Sequence, residues 1–118
     1  ISTSGQLPLV SGSLPMTGLV GDQISQGDAA GQARVAALNA LAAAADVAGG
    51  VNNIRRVVRV VVYVANTADF TAQPAVANGA SELFGEIFGD AGRHIRSAIG
   101  VASLPLGAPV KVELTVQV

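Results

Sequence analysis

The residues Ile54 to Ala65, reading IRRVVRVVVYVA, constrain this chain more than any other stretch. They form a β-branched run whose apolar side chains fall on both faces. Such a strand is stable where helices cover one side and further protein covers the other. The run is therefore read as the central strand of a sheet, and the rest of the chain has to supply its neighbours and its cover.

Residues 1 to 5 read as a short strand ending at Gly5, and LPLVSGSLPMTG after it as a loop with Pro and Gly at turn spacing. From Asp28 to Val47 the chain is rich in Ala and Leu, and Val35, Leu38, Leu41 or Ala42, and Ala45 recur at helical spacing, predicting one apolar stripe. Ser25 is placed to cap this helix, Asp28 to favour its positive end, and Gly49-Gly50 to end it. Pro74 opens a second predicted helix, with Val76, Ala80, Leu83, Phe84 and Ile87 on one stripe, Glu82 and Glu86 facing away, and Gly89 as its stop. The last third holds two strands, Arg96 to Ala102 and Val110 to Val118, joined by LPLGAP. The order strand, helix, strand, helix, strand, strand predicts an α+β fold, with two helices packed on one face of a mixed sheet. The 118 residues suffice for a single domain over 1–118 and are too few for two ordinary ones.

Half of the residues are hydrophobic and only 13% are charged, about half the usual share. So few charges would leave large apolar patches on a monomer, which predicts a homo-oligomer. The net charge of -1 and pI near 5.6 argue against nucleic acid as a partner. The absence of Cys excludes disulfides, thiolate catalysis and Cys-based zinc sites, and suits a cytoplasmic protein. No charge-free apolar run reaches the length of a membrane span and no signal peptide is visible. Ile1 reads as the middle of a strand, so a leading segment is expected before it.

The final strand alternates: Val112, Leu114, Val116 and Val118 point one way, and Lys111, Glu113, Thr115 and Gln117 the other. In the preceding strand the same period puts Arg96 with Ala98, Gly100 and Ala102, opposite Ile95, Ser97, Ile99 and Val101. With the larger apolar set packed under the helices, unfilled volume is left beside Arg96, whose planar fork suits a carboxylate. The alternatives are a solvated charge or an ion pair with Glu113. His94, the only histidine, falls on the Arg96 face if the strand reaches back that far, and is otherwise a turn residue. No Ser-His-Asp arrangement is argued from Ser97 or Ser103, since either would have to share that one histidine. Arg55, Arg56 and Arg59 read as strand-end charges or oligomer contacts rather than a phosphate site. No phosphate loop or dinucleotide fingerprint is present, and one His without Cys makes no transition-metal site.

Four stretches together resemble a known family over essentially the whole chain: SGQLPL, VVRVVVYV followed by ADF, EIFG, and RSAIGVASLPLGAPVKVELTV. They are similar to the reactive-intermediate deaminase (Rid) family, also called YjgF-like or L-PSP endoribonuclease-like. The stretch from Asn78 to Pro109 looks most like a less characterised subgroup. The resemblance implies a chorismate-mutase-like fold assembled as a homotrimer, with sheets inward, helices outward and ligand clefts between subunits. It implies that Arg96 grips a substrate carboxylate and that backbone at Ser4 and Gly5 lines the same pocket. Asn78 and Ser81 are both candidates for a contact from the second helix.

Such enzymes hydrolyse 2-imino and enamino acids to 2-oxo acids and ammonia without a cofactor. The family's first strand, with its pocket aromatic, has no counterpart here. Lys111 stands seven residues beyond Leu104, where the family's water-positioning Glu is found, and Glu113 lies two further on the same strand face. Two expectations follow: an imine deaminase using Arg96 and Glu113, or a non-catalytic binder of small carboxylates using Arg96 and Lys111. The endoribonuclease activity in the family name is disfavoured by the acidic pI.

Overall fold

The valine run takes the centre of the sheet. The computed structural model describes all of residues 1–118. In it β1 (Arg56–Ala65) lies between β2 (Ile95–Val101), to which it is parallel, and β3 (Val110–Gln117), to which it is antiparallel. Helix α1 (Gln26–Ala48) packs over β3, and α2 (Gln73–Phe88) over β1 and β2, with the two helices in contact. Because β1 and β2 run the same way, the chain must cross over between them, and α2 is that crossover. The helix-covered face of the sheet is dry: Val57, Val60, Val62 and Val64 of β1 are fully buried with Val110, Val112, Leu114 and Val116 of β3. Val57 and Val60 are an odd number of residues apart and still share that face, because the ladder to β3 shifts register between Val57 and Arg59. Arg59, Val61 and Tyr63 consequently point to the other side, together with Lys111, Glu113 and Thr115.

The ends of α1 are those expected. The Ser25 hydroxyl accepts the Asp28 N–H at 3.1 Å, and Gly49 takes the left-handed conformation, φ 85°, that closes the helix. The buried stripe differs from expectation. It consists of Ala29, Ala33, Ala36, Ala37, Ala40, Leu41 and Ala44, while Leu38 is 51% exposed. The reason lies in the helix crossing: Gly79 of α2 sits against the backbone of Ala30, and a Cβ added there would run into the Ala30 carbonyl. Helices this close leave little more than room for methyl groups at the crossing, so Leu38 is turned outward, while the expected Leu41, beyond the crossing, is buried. On α2 the expected stripe holds at Val76, Ala80, Leu83 and Phe84, but Ile87 is 43% exposed, where the helix runs out toward Gly89. Arg34 and Glu86 clamp the outer side of the helix pair with bonds of 2.6 and 3.2 Å. This hydrogen-bonded contact and its charge attraction raise the guanidinium pKa and lower that of the carboxyl.

Residues 1 to 6 run antiparallel along β3 as an interrupted strand, bridging at Ser2–Thr115 and Gln6–Val112. The ladder breaks between these points because the Leu114 N–H donates to the Thr3 hydroxyl, 3.1 Å, instead of to a main-chain carbonyl. Strand β2 is oriented opposite to expectation. Its register aligns Arg96 with Val60 and Ala98 with Val62, so the small-residue side faces the helices, and Ile95 and Ile99, 62% and 41% exposed, face away. Ala98 packs partly against the core on that side, and over Gly100 the Asn66 and Gln73 side chains leave no room for a larger residue. No helix is long and apolar enough to cross a membrane.

Candidate functional site

Arg96 enters the site from β2, on the helix side of the sheet. Its Nη1 donates to Asn78 Oδ1 at 2.8 Å and to Ser81 Oγ at 3.2 Å. Asn78 and Ser81 are three residues apart on α2 and therefore neighbours on one helical face, so both reach the same guanidinium nitrogen. The alternatives at these two positions resolve into a pair that acts together. Both bonds use Nη1, and no carboxylate of this chain pairs with Arg96. The Nη2–Nε edge of the fork is left free, which is the edge a carboxylate meets in bidentate fashion. An ion pair with Glu113 is ruled out within one chain, because the two side chains stand on opposite faces of the sheet.

His94 joins the same cluster. Its Nε2 lies 2.9 Å from Ser81 Oγ and its Nδ1 2.6 Å from the Gly92 carbonyl oxygen. A carbonyl oxygen only accepts, so Nδ1 carries the proton, and in the neutral ring Nε2 accepts from the Ser81 hydroxyl. That leaves the Ser81 lone pairs to receive Arg96. The ring of Phe84 meets the imidazole edge-on, with centroids 6.0 Å apart. The histidine thus belongs to the Arg96 face and is more than a turn residue.

A second group of predicted residues lies on the open face. Glu113 lines a hollow of about 370 Å³ with Arg59, Tyr63, Ile99 and Thr115. Lys111 does not line it. Its aliphatic stem runs across Gly5, where a Cβ would collide with it, and its Nζ stands 5.0 Å from the centre of the Tyr63 ring. Of the two residues near the family's carboxylate position, the acid thus faces the hollow and the cation is engaged with an aromatic face. Desolvation first, then hydrogen bonding to Glu113 and its charge, hold the Tyr63 hydroxyl above its ordinary pKa, with Arg59 opposing. Ser4, at the chain's entry to this face, receives a bond from the Gln6 amide at 3.2 Å.

The structure thus brings Arg96, Asn78, Ser81 and His94 together on one side of the sheet, and Gly5, Lys111 and Glu113 on the other. Tyr63 was not singled out from the sequence; its place opposite Lys111 is set by the register of β1 with β3. Asn66 and Gln73 were also missed. They occupy the space over Gly100, in a hollow of about 640 Å³ at the carboxyl ends of the parallel strands, with Gln73 Nε2 donating to Asn66 Oδ1 at 3.2 Å. Arg55 and Arg56 are exposed at the start of β1, apart from both groups. No three His, Cys, Asp or Glu side chains converge as a metal site would require.

Comparison with known proteins places the fold. The YjgF/chorismate mutase-like endoribonuclease family matches residues 1–118. Protein TCP17 of Trypanosoma cruzi is 39% identical over 118 residues, covering 99% of this chain and 74% of that protein. Among solved structures, the protein Atu1372 from Agrobacterium tumefaciens gives a TM-score of 0.96 at 40% identity, over 99% of this chain and 75% of that one. TdcF from E. coli with bound serine gives 0.65 at 25% identity, over 99% and 80%. The difference between 0.96 and 0.65 sets this chain and Atu1372 close together within a broader group that shares the architecture. With its α+β topology, mixed sheet and full-length match, the chain belongs to the YjgF/chorismate mutase-like family.

Proposed function

We propose that the protein binds small carboxylates at Arg96 in clefts between identical copies, and hydrolyses 2-imino or enamino acids there to 2-oxo acids and ammonia. The observation that carries this reading is the Arg96 guanidinium, held from behind by Asn78 and Ser81 with its bidentate edge free. The bound serine in TdcF, an amino acid with a carboxylate, supports the same ligand class. Because Arg96 and Glu113 stand on opposite faces of one sheet, a site using both takes its carboxylate from a neighbouring copy. The exposed Ile95 and Ile99, on the same side of the sheet as Glu113, support apposition of copies, for which this reading takes the homotrimer that the family resemblance implies. In that cleft Arg96 anchors the acid and draws electron density from the imine. Glu113 takes one proton from the attacking water as the C–O bond forms and passes it to the imine nitrogen; the hydroxyl of the resulting carbinolamine then gives its proton, by way of Glu113, to the amine as the C–N bond breaks, releasing ammonia and the 2-oxo acid.

A second reading, a binder without catalysis, is favoured by one observation: Lys111 stands where the family's water-positioning Glu is found. One assay separates them. An amino acid oxidase generates the imino acid, and its capture as a semicarbazone is followed with and without the protein. Hydrolysis predicts faster loss of imine, reduced at least about a hundredfold in Arg96→Ala, in line with the loss of an orienting anchor. No acceleration, with calorimetric binding of a carboxylate, selects the binder, and neither activity nor binding sinks both.

A further inference from the structure

The hydrogen bond between Ser81 and His94 has the geometry of a nucleophile and its base. A serine is activated when its hydroxyl lies within about 2.6–3.2 Å of a basic nitrogen and a third group orients that base. Here Ser81 Oγ is 2.9 Å from His94 Nε2, and the Gly92 carbonyl holds Nδ1 at 2.6 Å, fixing the tautomer in which Nε2 is the base. The carbonyl takes the place usually filled by a carboxylate. Its position is set by packing: Gly92 is buried, and a side chain there would run into the carbonyl of Phe84, whose ring also braces the imidazole. Ser81 and His94 line a groove of about 590 Å³, and three of its other lining residues, Gly85, Gly89 and Gly92, have no side chain to obstruct it. Arg96 Nη1 lies 3.2 Å from Ser81 Oγ, a position from which a guanidinium can stabilise an alkoxide and an oxyanion formed beside it.

We propose that Ser81 and His94 form a nucleophile–base pair that hydrolyses small carboxylic esters, an activity separate from imine hydrolysis and complete within one copy of the chain. Ser81 Oγ bonds to the ester carbonyl carbon while its proton passes to His94 Nε2 and the carbonyl electron pair moves onto oxygen beside Arg96. Collapse expels the alcohol, which leaves with the proton from His94. Water then attacks the acyl-serine, gives its proton to His94, and releases the acid as that proton returns to Ser81. The net reaction is ester plus water to acid plus alcohol. The free Nη2–Nε edge of Arg96 favours half-esters of short dicarboxylic acids, whose second carboxylate it receives.

The purified protein is treated with a fluorophosphonate and digested for mass spectrometry, and p-nitrophenolate release is followed from p-nitrophenyl acetate and from mono-p-nitrophenyl succinate. The expected result is a covalent adduct on Ser81, faster turnover of the succinate half-ester, and hydrolysis slowed about a hundredfold or more in Ser81→Ala and His94→Gln. Ser81→Cys guards against variants that misfold. Its thiol is alkylated by iodoacetamide faster when His94 is present than in Ser81→Cys/His94→Gln. An adduct elsewhere or nowhere, wild-type hydrolysis in Ser81→Ala, or equal alkylation rates overturns the proposal. Absence of imine hydrolysis leaves it standing, because the groove draws nothing from Glu113 or from a second copy.

Discussion

The two faces of the sheet solve different problems with nearly the same backbone. Under the helices, β1 and β3 present an unbroken valine and leucine surface against helices whose contact stripe is mostly alanine. On the other side the same strands present Arg59, Tyr63, Lys111, Glu113 and Thr115, bordered by the exposed isoleucines of β2. The first face is a finished core. The second combines uncovered apolar surface with a lysine laid against the Tyr63 ring and two further charges, a composition suited to meeting protein as well as water. The difference teaches that the shortage of charge in this chain is local. The core under the helices carries no charge, whereas the open face carries Arg59, Lys111 and Glu113.

Three substitutions test that contrast, beginning with the largest effect. Phe84→Ala, in the covered core, is expected to lower stability by about 3–5 kcal/mol, read from denaturant unfolding. A loss under about 1 kcal/mol would mean that the covered face is not the main source of stability. Ile99→Lys, on the open face, is expected to leave far-UV circular dichroism unchanged and to convert the assembly to monomers in light scattering. An unchanged particle mass would show that the copies meet elsewhere. The smallest effect is at Tyr63, the only tyrosine in a chain without tryptophan, so its ionisation can be followed directly by absorbance. The phenol is expected to titrate above 10.0, chiefly through desolvation and then through Glu113, and Glu113→Gln is expected to lower its midpoint. A raised pKa means that the folded state holds this proton more tightly than the unfolded chain. The associated stability is therefore present below the ordinary phenol range and is lost as the pH rises through the raised value. A midpoint unmoved by Glu113→Gln would leave desolvation as the whole cause.

How much of this was legible from residues alone depends on whether size and period pointed the same way. In β3, and in α2 as far as Phe84, large apolar residues recur at the period of the element and the covered face followed directly, whereas β1 is apolar on both faces and its run marked a central strand without saying which side the helices cover. In α1 they conflicted: Leu38 looks like a core residue, yet the crossing at Gly79 admits only alanine, a constraint that belongs to the helix pair and not to α1's own pattern. For β2 alternation sorted the side chains into two sets but could not say which set faced the helices, and preferring the bulkier set reversed the answer. That error hid the cluster. Once Arg96 is on the helix side, Asn78 and Ser81 come within reach by helical spacing, and the lone histidine finds its serine in α2 rather than at Ser97 or Ser103. The separation of Arg96 from Glu113 was likewise illegible, because it depends on pairing strands distant in sequence.

Residues 1 to 6 pair with 112 to 116, more than a hundred residues away in sequence, with the Ile1 carbonyl accepting the Val116 N–H at 2.8 Å. During synthesis the valine-rich strand leaves the ribosome well before β3, its antiparallel partner, has been translated. The nascent chain must therefore wait with its stickiest segment half-dressed until residues 110 to 117 emerge. For such a chain, the pace of translation through the final strand and the company of chaperones at the exit tunnel become part of how the fold is reached.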